Sequence, residues 1–402
     1  MPVLTTLNTT TSSTPPTAWN KEFYDRKLLE RAVTKTIYAQ FAQKRNIPKN
    51  NGKTVEFRRY SPFDVSTTKL ELTEGVTPSS QAIKQTTVNA TVKQYGAYVE
   101  TSDLLVLTAY DPVQSDAADL LGEQMGTLVD WLNRDEMISG ASAQYAGGAL
   151  SKNAIATTSK FTLEEARKAV TTLRKAKARP FTDGGEHFKC ILSPDQAYDL
   201  QSDSTWKEIA VHVDPSRSIS GEIGRAYGVA FYLSTEAKVD KQSVLNAVNA
   251  NTSSSTSFVL KNDPSDAAVE YLSTPGNKIM IGTTEYTLAA TSPYASATKT
   301  VTLSAAASLS ADAIVYSTDC GHIDSSTKAG SDLHHALIFG ADAYGNIDIA
   351  GSGAIKMITK PAGSAGTADP LDQRSTIGAK ILAYTVKVLN SAWLIDIMTS
   401  VS

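Results

Sequence analysis

Three stretches decide the fold: KTVEFRRY at residues 53–60, TTVNATVKQY at residues 86–95, and DPVQSDAADLLGEQMGTLVDWLNRDEMI at residues 111–138. In the first, Val55 and Phe57 alternate with Glu56 and Arg58, the period of two of a half-buried strand. Val88, Ala90 and Val92 answer with the same period in the second. Between them, residues 61–85 carry Pro62, Gly75 and Pro78, which interrupt any regular core element. The pair reads as a projecting hairpin arm with a broad polar tip. The third stretch reads as a long helix. Asp111 caps it, Pro112 suits its first position and Gln114 reaches back to close a capping box. Ala117, Leu121, Met125, Leu128 and Leu132 then recur at spacings of four and three and share one face. At 1.5 Å per residue the helix is roughly 40 Å long. An arm beside a rod suits tiling better than catalysis.

Working outward, residues 1–18 are rich in Thr and Ser with Pro15 and Pro16, a composition that orders itself only on a partner. Residues 20–41 read as a helix on Phe23, Leu28, Ala32, Ile37 and Phe41, ended by Pro48. Beyond the long helix, Thr162 and Glu165 form a second capping box, with Leu163, Ala166, Val170 and Leu173 on one face and Pro180 as the stop. Residues 187–192 read as a strand, and Ser193, Pro194 and Gln196 start a short helix. Near the end, residues 380–389 and 393–398 read as an antiparallel pair turned at residues 390–392 and bracing the long helix. Residues 241–330 differ in texture. Ser, Thr and Ala dominate, and short strand-like runs recur at residues 258–260, 269–272, 278–281, 286–289, 301–303 and 314–316, which predicts a small β-barrel or sandwich.

The chain has 402 residues, 41% of them hydrophobic and 7% aromatic, enough for two or three domains with a sizeable core. Apolar runs fall short of the ~18 residues that a spanning helix needs, and the first residues carry no secretory pattern. A cytoplasmic protein is expected, with Cys190 and Cys320 as small buried thiols of no assigned chemistry. The net charge of −3 argues against a tight grip on nucleic acid. It hides an asymmetry. Residues 21–60 hold eleven Lys and Arg against four Asp and Glu, whereas residues 101–140 hold eight acids against Arg134 alone. Taken alone, such charge runs read either as solvated faces or as stretches that attract each other between subunits.

Catalytic patterns are absent: there is no nucleophile elbow, Walker loop or dinucleotide fingerprint, and Gly351, Gly353 and Lys356 read as a loop. Cys320, His322, His334 and His335 match no zinc spacing and read as ordinary loop residues. Asp342, Asn346 and Asp348 lack the order of a calcium loop, and residues 340–349 read as a turn and strand. No catalytic, cofactor-binding or metal-ligating residue is assigned.

Several blocks resemble the major capsid protein of tailed phages, of the N-four-like short-tailed type. They are YDRKLLERAV (24–33), QKRNIPKNNGKTVEFRRYSP (43–62), LTEGVTP (72–78), VKQYGAYVETSDLL (92–105), LLGEQMG (120–126) with RDEMISG (134–140), and GADAYGNIDI (340–349). AGTADPLDQRSTIGAK (365–380) and LNSAWLIDI (389–397) complete the set, leaving residues 241–330 outside the likeness. The resemblance implies an α+β chain with the major capsid fold of tailed phages and herpesviruses, carrying an inserted small all-β domain. The implied parts are an N-terminal arm (1–50), an extended loop (51–96), a peripheral domain with a spine helix (97–180) and an axial domain in two parts (181–240 and 331–350). The insertion (241–330) divides the axial domain, and C-terminal strands (351–402) return to the peripheral domain.

The implied function is a structural one. Hexamers and pentamers tile an icosahedral shell around packaged double-stranded DNA, which they contact weakly. The implied partners are further copies of the chain, portal and scaffolding proteins and a decoration protein, with no membrane; the shell is built in the host cytoplasm. Lys53, Arg58, Arg59 and Glu74 in the arm, with Asp116, Asp119 and Glu123 on the helix, are the expected contacts between subunits. A covalent lysine cross-link through Lys69 or Lys84 is not carried over, and an uncleaved N-terminus is expected. The competing readings are a carbohydrate- or receptor-binding role for the insertion and an α+β enzyme.

Overall fold

The computed structural model describes residues 8–9, 37–48, 52–60, 63, 70–72, 74, 76–77, 80–104, 113–183, 185–210, 222–282, 284–324, 329–349, 355–364 and 371–401. The chain forms two compact units, Met1–Ala141 with Ala341–Leu394 and Ser142–Gly340 with Ile395–Ser402. Residues 142–180, grouped with the long helix in the sequence reading, belong to the second unit.

The first unit is built on a six-stranded sheet in the order Asn8–Thr9, Lys93–Ser102, Arg374–Val388, Tyr344–Ile349, Gln43–Ile47, with Lys356–Lys360 also paired to Arg374–Val388. Along the central strand Ser375, Ile377, Ala379 and Ile381 are buried while Thr376, Gly378 and Lys380 are half-exposed, the alternation of a sheet covered on one face. The cover is the helix Val113–Gly140, where Ala117, Leu121 and Met125 are buried as the spacing predicts and Leu128 and Leu132 are half-buried. Asn133 Nδ2 donates to Tyr384 Oη at 2.6 Å, and Lys387 pairs with Glu136 at 2.6 Å. The predicted cap at Asp111 and Pro112 lies outside the described residues.

The arm is present. Thr54–Tyr60 pairs antiparallel with Gln85–Thr91, Val55 opposite Ala90 and Phe57 opposite Val88. At its root Val55, Phe57 and Val92 pack on buried Ile47, Ala90 and Ile347. The second arm strand does not run on to Tyr95. It breaks at Val92, and Lys93–Ser102 leaves to pair with Arg374–Val388.

Two further expectations in this unit are corrected. Of the helix predicted over residues 20–41, the described part is a 3-10 turn, Tyr38–Phe41, where the Asp130 carboxylate takes the Ile37 and Tyr38 N–H groups at 2.8 and 2.9 Å. Residues 20–36 lie outside the described set. Gln43–Ile47 then forms a strand parallel to Tyr344–Ile349, which no periodicity in QKRNI announces. The C-terminal hairpin is absent too. Arg374–Val388 already has strands on both sides, so no edge is free; Asn390 Oδ1 accepts the Ala392 N–H over the 3-10 turn Ser391–Trp393, and Leu394–Ser400 joins another sheet.

That sheet, in the second unit, has seven strands in the order Ser142–Tyr145, Leu394–Ser400, Leu333–Phe339, Phe188–Leu192, Val229–Leu233, Glu222–Ala226, with Val239–Asp240 also on Leu333–Phe339. Every residue of Phe188–Leu192 and Leu333–Phe339 is buried. The helix Leu163–Lys175 buries its predicted face, but its box is only half closed: Thr162 Oγ1 accepts the Glu165 N–H at 3.5 Å, while the Glu165 carboxylate turns to Gln144 and Lys168. Ser193 closes a complete box on Pro194–Ser202, with Gln196 N–H to Ser193 Oγ at 3.2 Å and Ser193 N–H to Gln196 Oε1 at 3.1 Å. Ser193→Ala also strips a partner from buried His334, whose Nδ1 lies 2.9 Å from the hydroxyl. A loss of about 1–2 kcal/mol is expected, read as a lower urea midpoint at unchanged m.

Within residues 244–317 a four-stranded sheet (Val244–Ala247, Ile314–Ser317, Lys278–Ile281, Thr284–Thr287) lies with a three-stranded one (Thr252–Val259, Thr300–Leu309, Tyr294–Ala295). They share an apolar cluster whose buried members all fall between Leu245 and Val315, among them Phe258, Ile279 and Val301. The insertion is not all-β. Residues 269–272 belong to the helix Asp266–Ser273, because Ser265 Oγ accepts the Ala268 N–H at 3.3 Å and Ala268 and Leu272, one turn apart, enter the core together.

Candidate functional site

The surface best suited to a partner is the arm. Beyond its root, the described part of the tip presents large apolar side chains to water: Tyr60 is 63% exposed, Leu72 and Ile83 70%, Val76 63%, with Phe63 and Leu70 similarly bare. Six such groups clustered within about two dozen residues exceed the scattered apolar exposure of an ordinary surface. Each stabilises by ~1.5–3 kcal/mol when fully buried, so the tip gains most from being covered. Lys53, Arg58, Arg59 and Glu74 are exposed on the same arm, and Arg58 pairs with Glu56 at 3.1 Å. The sequence reading found these charges and missed the apolar residues beside them. The signal was available in Leu70, Leu72 and Val76, which sit in a stretch read as polar because its prolines and glycine dominate.

The long helix offers a second surface. Asp116 is exposed, Asp119 and Glu123 are half-buried, and Leu120 and Trp131 are 65% and 44% exposed, with the Arg134 guanidinium 5.3 Å from the Trp131 ring. Its acidic excess is partly answered within the chain. Asp130 is buried against the Ile37 and Tyr38 amides, Asp135 pairs with Arg134 at 2.8 Å and Glu136 with Lys387. Lys84 is exposed, and Lys69 lies outside the described residues.

Cys190 and Cys320 are free and buried; burial pushes the Cys190 thiol up and takes Cys320 to about 11. Among the described residues no group of three His, Cys, Asp or Glu is placed to hold a metal. His334 and His335 are not loop residues, as expected, but lie on the buried strand Leu333–Phe339. His335 bridges two carboxylates, Nδ1 to Asp396 at 2.7 Å and Nε2 to Asp240 at 3.0 Å. Burial opposes its charge, but the hydrogen bonds it donates to Asp240 and Asp396 win and raise its pKa to about 9. Asp240 is opposed by burial as well, yet His335 and Lys152 hold it well below the usual carboxylate range. Nothing in the spacing of residues 240, 335 and 396 announces this cluster. No helix among the described residues is long and apolar enough to cross a membrane.

No family model and no curated protein sequence matches the chain. Solved structures do. A chain from the capsid of Ralstonia phage GP4 superposes with a TM-score of 0.54 at 13% identity, covering 92% of each chain. The capsid of cyanophage P-SCSP1u gives 0.50 at 14% identity over 91% of this chain and 89% of that one. The capsid asymmetric unit of cyanophage Pam1 gives 0.50 at 13%, over 91% and 94%. The mixed α+β architecture is thus the one found in these phage shells.

Proposed function

We propose that the chain is the major coat protein of a tailed-phage shell, of the N-four-like type that its sequence blocks resemble. The observation that carries the reading is the apolar arm tip, left bare by its own chain, on a fold whose likeness to phage capsid chains spans nine-tenths of their length. In this reading hexamers and pentamers close around double-stranded DNA, and each arm covers its apolar tip on a neighbour. Weak contacts suffice because closed symmetry repeats them. Portal and scaffolding proteins start and guide assembly in the host cytoplasm, a decoration protein adds to the outer face, and the shell contacts DNA without gripping it, in keeping with the net charge of −3. The parts carry the roles expected above: arm and extended loop to residue 96, peripheral domain with the long helix, and axial domain interrupted by the insertion.

Light scattering and electron microscopy of the purified chain, alone and with its phage's scaffolding factor, test this. Shells or capsomers are expected, and a strict monomer in both conditions overturns the reading. The charged contacts contribute less than the apolar ones, since exposed ion pairs are worth about 0–1 kcal/mol. Reversing Arg58 and Arg59 to Glu is expected to lower assembly yield modestly at low salt and hardly at all at high salt, where screening has already removed the attraction. Equal losses at both ionic strengths would assign these residues to packing.

A further inference from the structure

The insertion is joined to its unit by a neck that runs between the apolar cluster of residues 245–315 and the buried strand Leu333–Phe339. The outgoing leg leaves Val239–Asp240 through Lys241, Gln242 and Ser243. The returning leg runs from Ser317 through Asp319 and His322, and residues 329–332 lead into Leu333–Phe339. Polar ties hold these segments. Lys241 pairs with Asp332 at 2.9 Å, the Gly330 N–H donates to Gln242 Oε1 at 3.2 Å, and the Gly321 N–H donates to Ser331 O at 2.9 Å. At Gly330 a Cβ would run into Cys320 Sγ, so the strands close only over glycine.

A part of the chain remote in sequence joins both legs. Lys152, on the 3-10 turn Lys152–Ala154, pairs through Nζ with Asp240 on the outgoing leg and with Asp319 on the returning leg at 2.5 Å. The next residue of that segment continues the grip, Ile155 O accepting the His322 N–H at 3.2 Å. Behind Asp240 stand His335 at 3.0 Å and Lys238 at 3.8 Å, and Asp396 lies behind His335. Asp240 is nearly inaccessible, whereas Lys152 and Asp319 are partly open to solvent at 29% and 44%. One side of the clasp is therefore fixed and the other is able to open.

We propose that Lys152 is a latch that clasps the two legs of the neck and holds the insertion in one pose, and that removing its charge turns the neck into a hinge. Burial opposes the Lys152 charge, but hydrogen bonds to Asp240 and Asp319 more than offset this and raise its pKa, so the latch is closed through neutral pH. With the cation gone, Asp240 keeps His335 and stays in place. Asp319 loses its anchor, and the returning leg keeps the Lys241–Asp332 pair, the Gln242–Gly330 hydrogen bond and its backbone bonds. Motion of this kind is local, because the apolar cores on either side remain intact.

Hydrogen exchange of the full chain is the test, read at the neck amides of Gly321, His322 and Ser331 and at controls in the insertion core (Val248, Leu288) and in Arg374–Val388. Lys152→Met is expected to speed exchange in the neck by roughly tenfold and to leave the controls within about twofold. Lys152→Arg keeps the charge and is expected to leave the neck near the wild-type rate. Asp319→Asn, which leaves Asp240 paired, serves should Lys152→Met not fold; roughly threefold faster exchange confined to the neck is expected of it. High salt accelerates neck exchange in the wild type more than in Lys152→Met. Unchanged neck exchange in both neutralising variants, or exchange that rises equally at neck and controls, overturns the latch.

Discussion

The unit that holds His335 is expected to lose on the order of 3 kcal/mol of stability as the pH climbs from 6.5 through 9. The imidazole sits between Asp396 and Asp240 with both ring nitrogens engaged, and only the doubly protonated form donates to both. Its folded pKa is raised from 6.5 to about 9, so its stabilising contribution is whole below 6.5 and gone once the pH has passed through 9. Acid has the opposite access. Asp240 is held below its ordinary value, so its contribution is present above that value and lost only in strong acid. Urea unfolding between pH 6 and 9.5, followed by a probe in residues 142–340, reads the effect. His335→Gln is expected to flatten the profile and to cost about 3–5 kcal/mol at pH 6.5, because it takes the cation from buried Asp396 and leaves Asp240 to Lys152 and Lys238. A wild-type stability that stays level across this window would show that His335 is neutral in the fold.

What the sequence made legible was local. Val55 and Phe57 against Val88 and Ala90 specify a hairpin through alternation over a few residues, and Ser193, Pro194 and Gln196 specify a helix start within one turn. Ala117, Leu121 and Met125 do the same for the long helix. What escaped was the choice of partner across sequence distance. QKRNI carries no periodicity of its own and becomes a strand because Tyr344–Ile349 offers an edge some three hundred residues away. Leu394–Ser400 reads correctly as a strand, but its sheet is decided by the neighbours that already flank Arg374–Val388. Residues 269–272 alternate plausibly as a strand, yet the cap at Ser265 and the facing core select a helix. His335, Asp240, Asp396 and Lys152 are invisible for the same reason: four segments meet only after the sheet has formed. The likeness in wording covered most of the chain and pointed to the architecture that the superposed phage capsid chains share. It left out residues 241–330, where the helix Asp266–Ser273 was misread.

Removing the arm tip and removing the insertion are expected to have opposite consequences. Tyr60 and Gln85 face each other at the last pair of the arm ladder, so an Asn-Gly turn in place of residues 61–84 closes the hairpin without disturbing its root on Ile47 and Ile347. The described apolar tip residues are exposed, so deleting them is expected to leave monomer melting nearly unchanged. Assembly is a different matter. The replacement removes five large apolar groups, Phe63, Leu70, Leu72, Val76 and Ile83, whose gross burial is on the order of 10 kcal/mol per arm, against about 1 kcal/mol for an exposed ion pair, so loss of the tip is expected to abolish shells. The insertion is expected to tolerate excision because its ends already touch: the Ser243 N–H donates to Ser317 Oγ at 2.8 Å and the Ser317 N–H donates to Ser243 O at 2.8 Å. Its buried apolar cluster runs from Leu245 to Val315 and leaves with the segment. A short Gly/Ser linker replacing residues 244–316 is therefore expected to give chains that still form particles, since Lys152, Asp240 and Asp319 all remain to fix the neck. Sedimentation and electron microscopy of the two variants decide between the surfaces. Should the arm-shortened chain assemble at wild-type yield while the excised chain stays a folded monomer, the contact that builds the shell lies on the insertion and not on the arm.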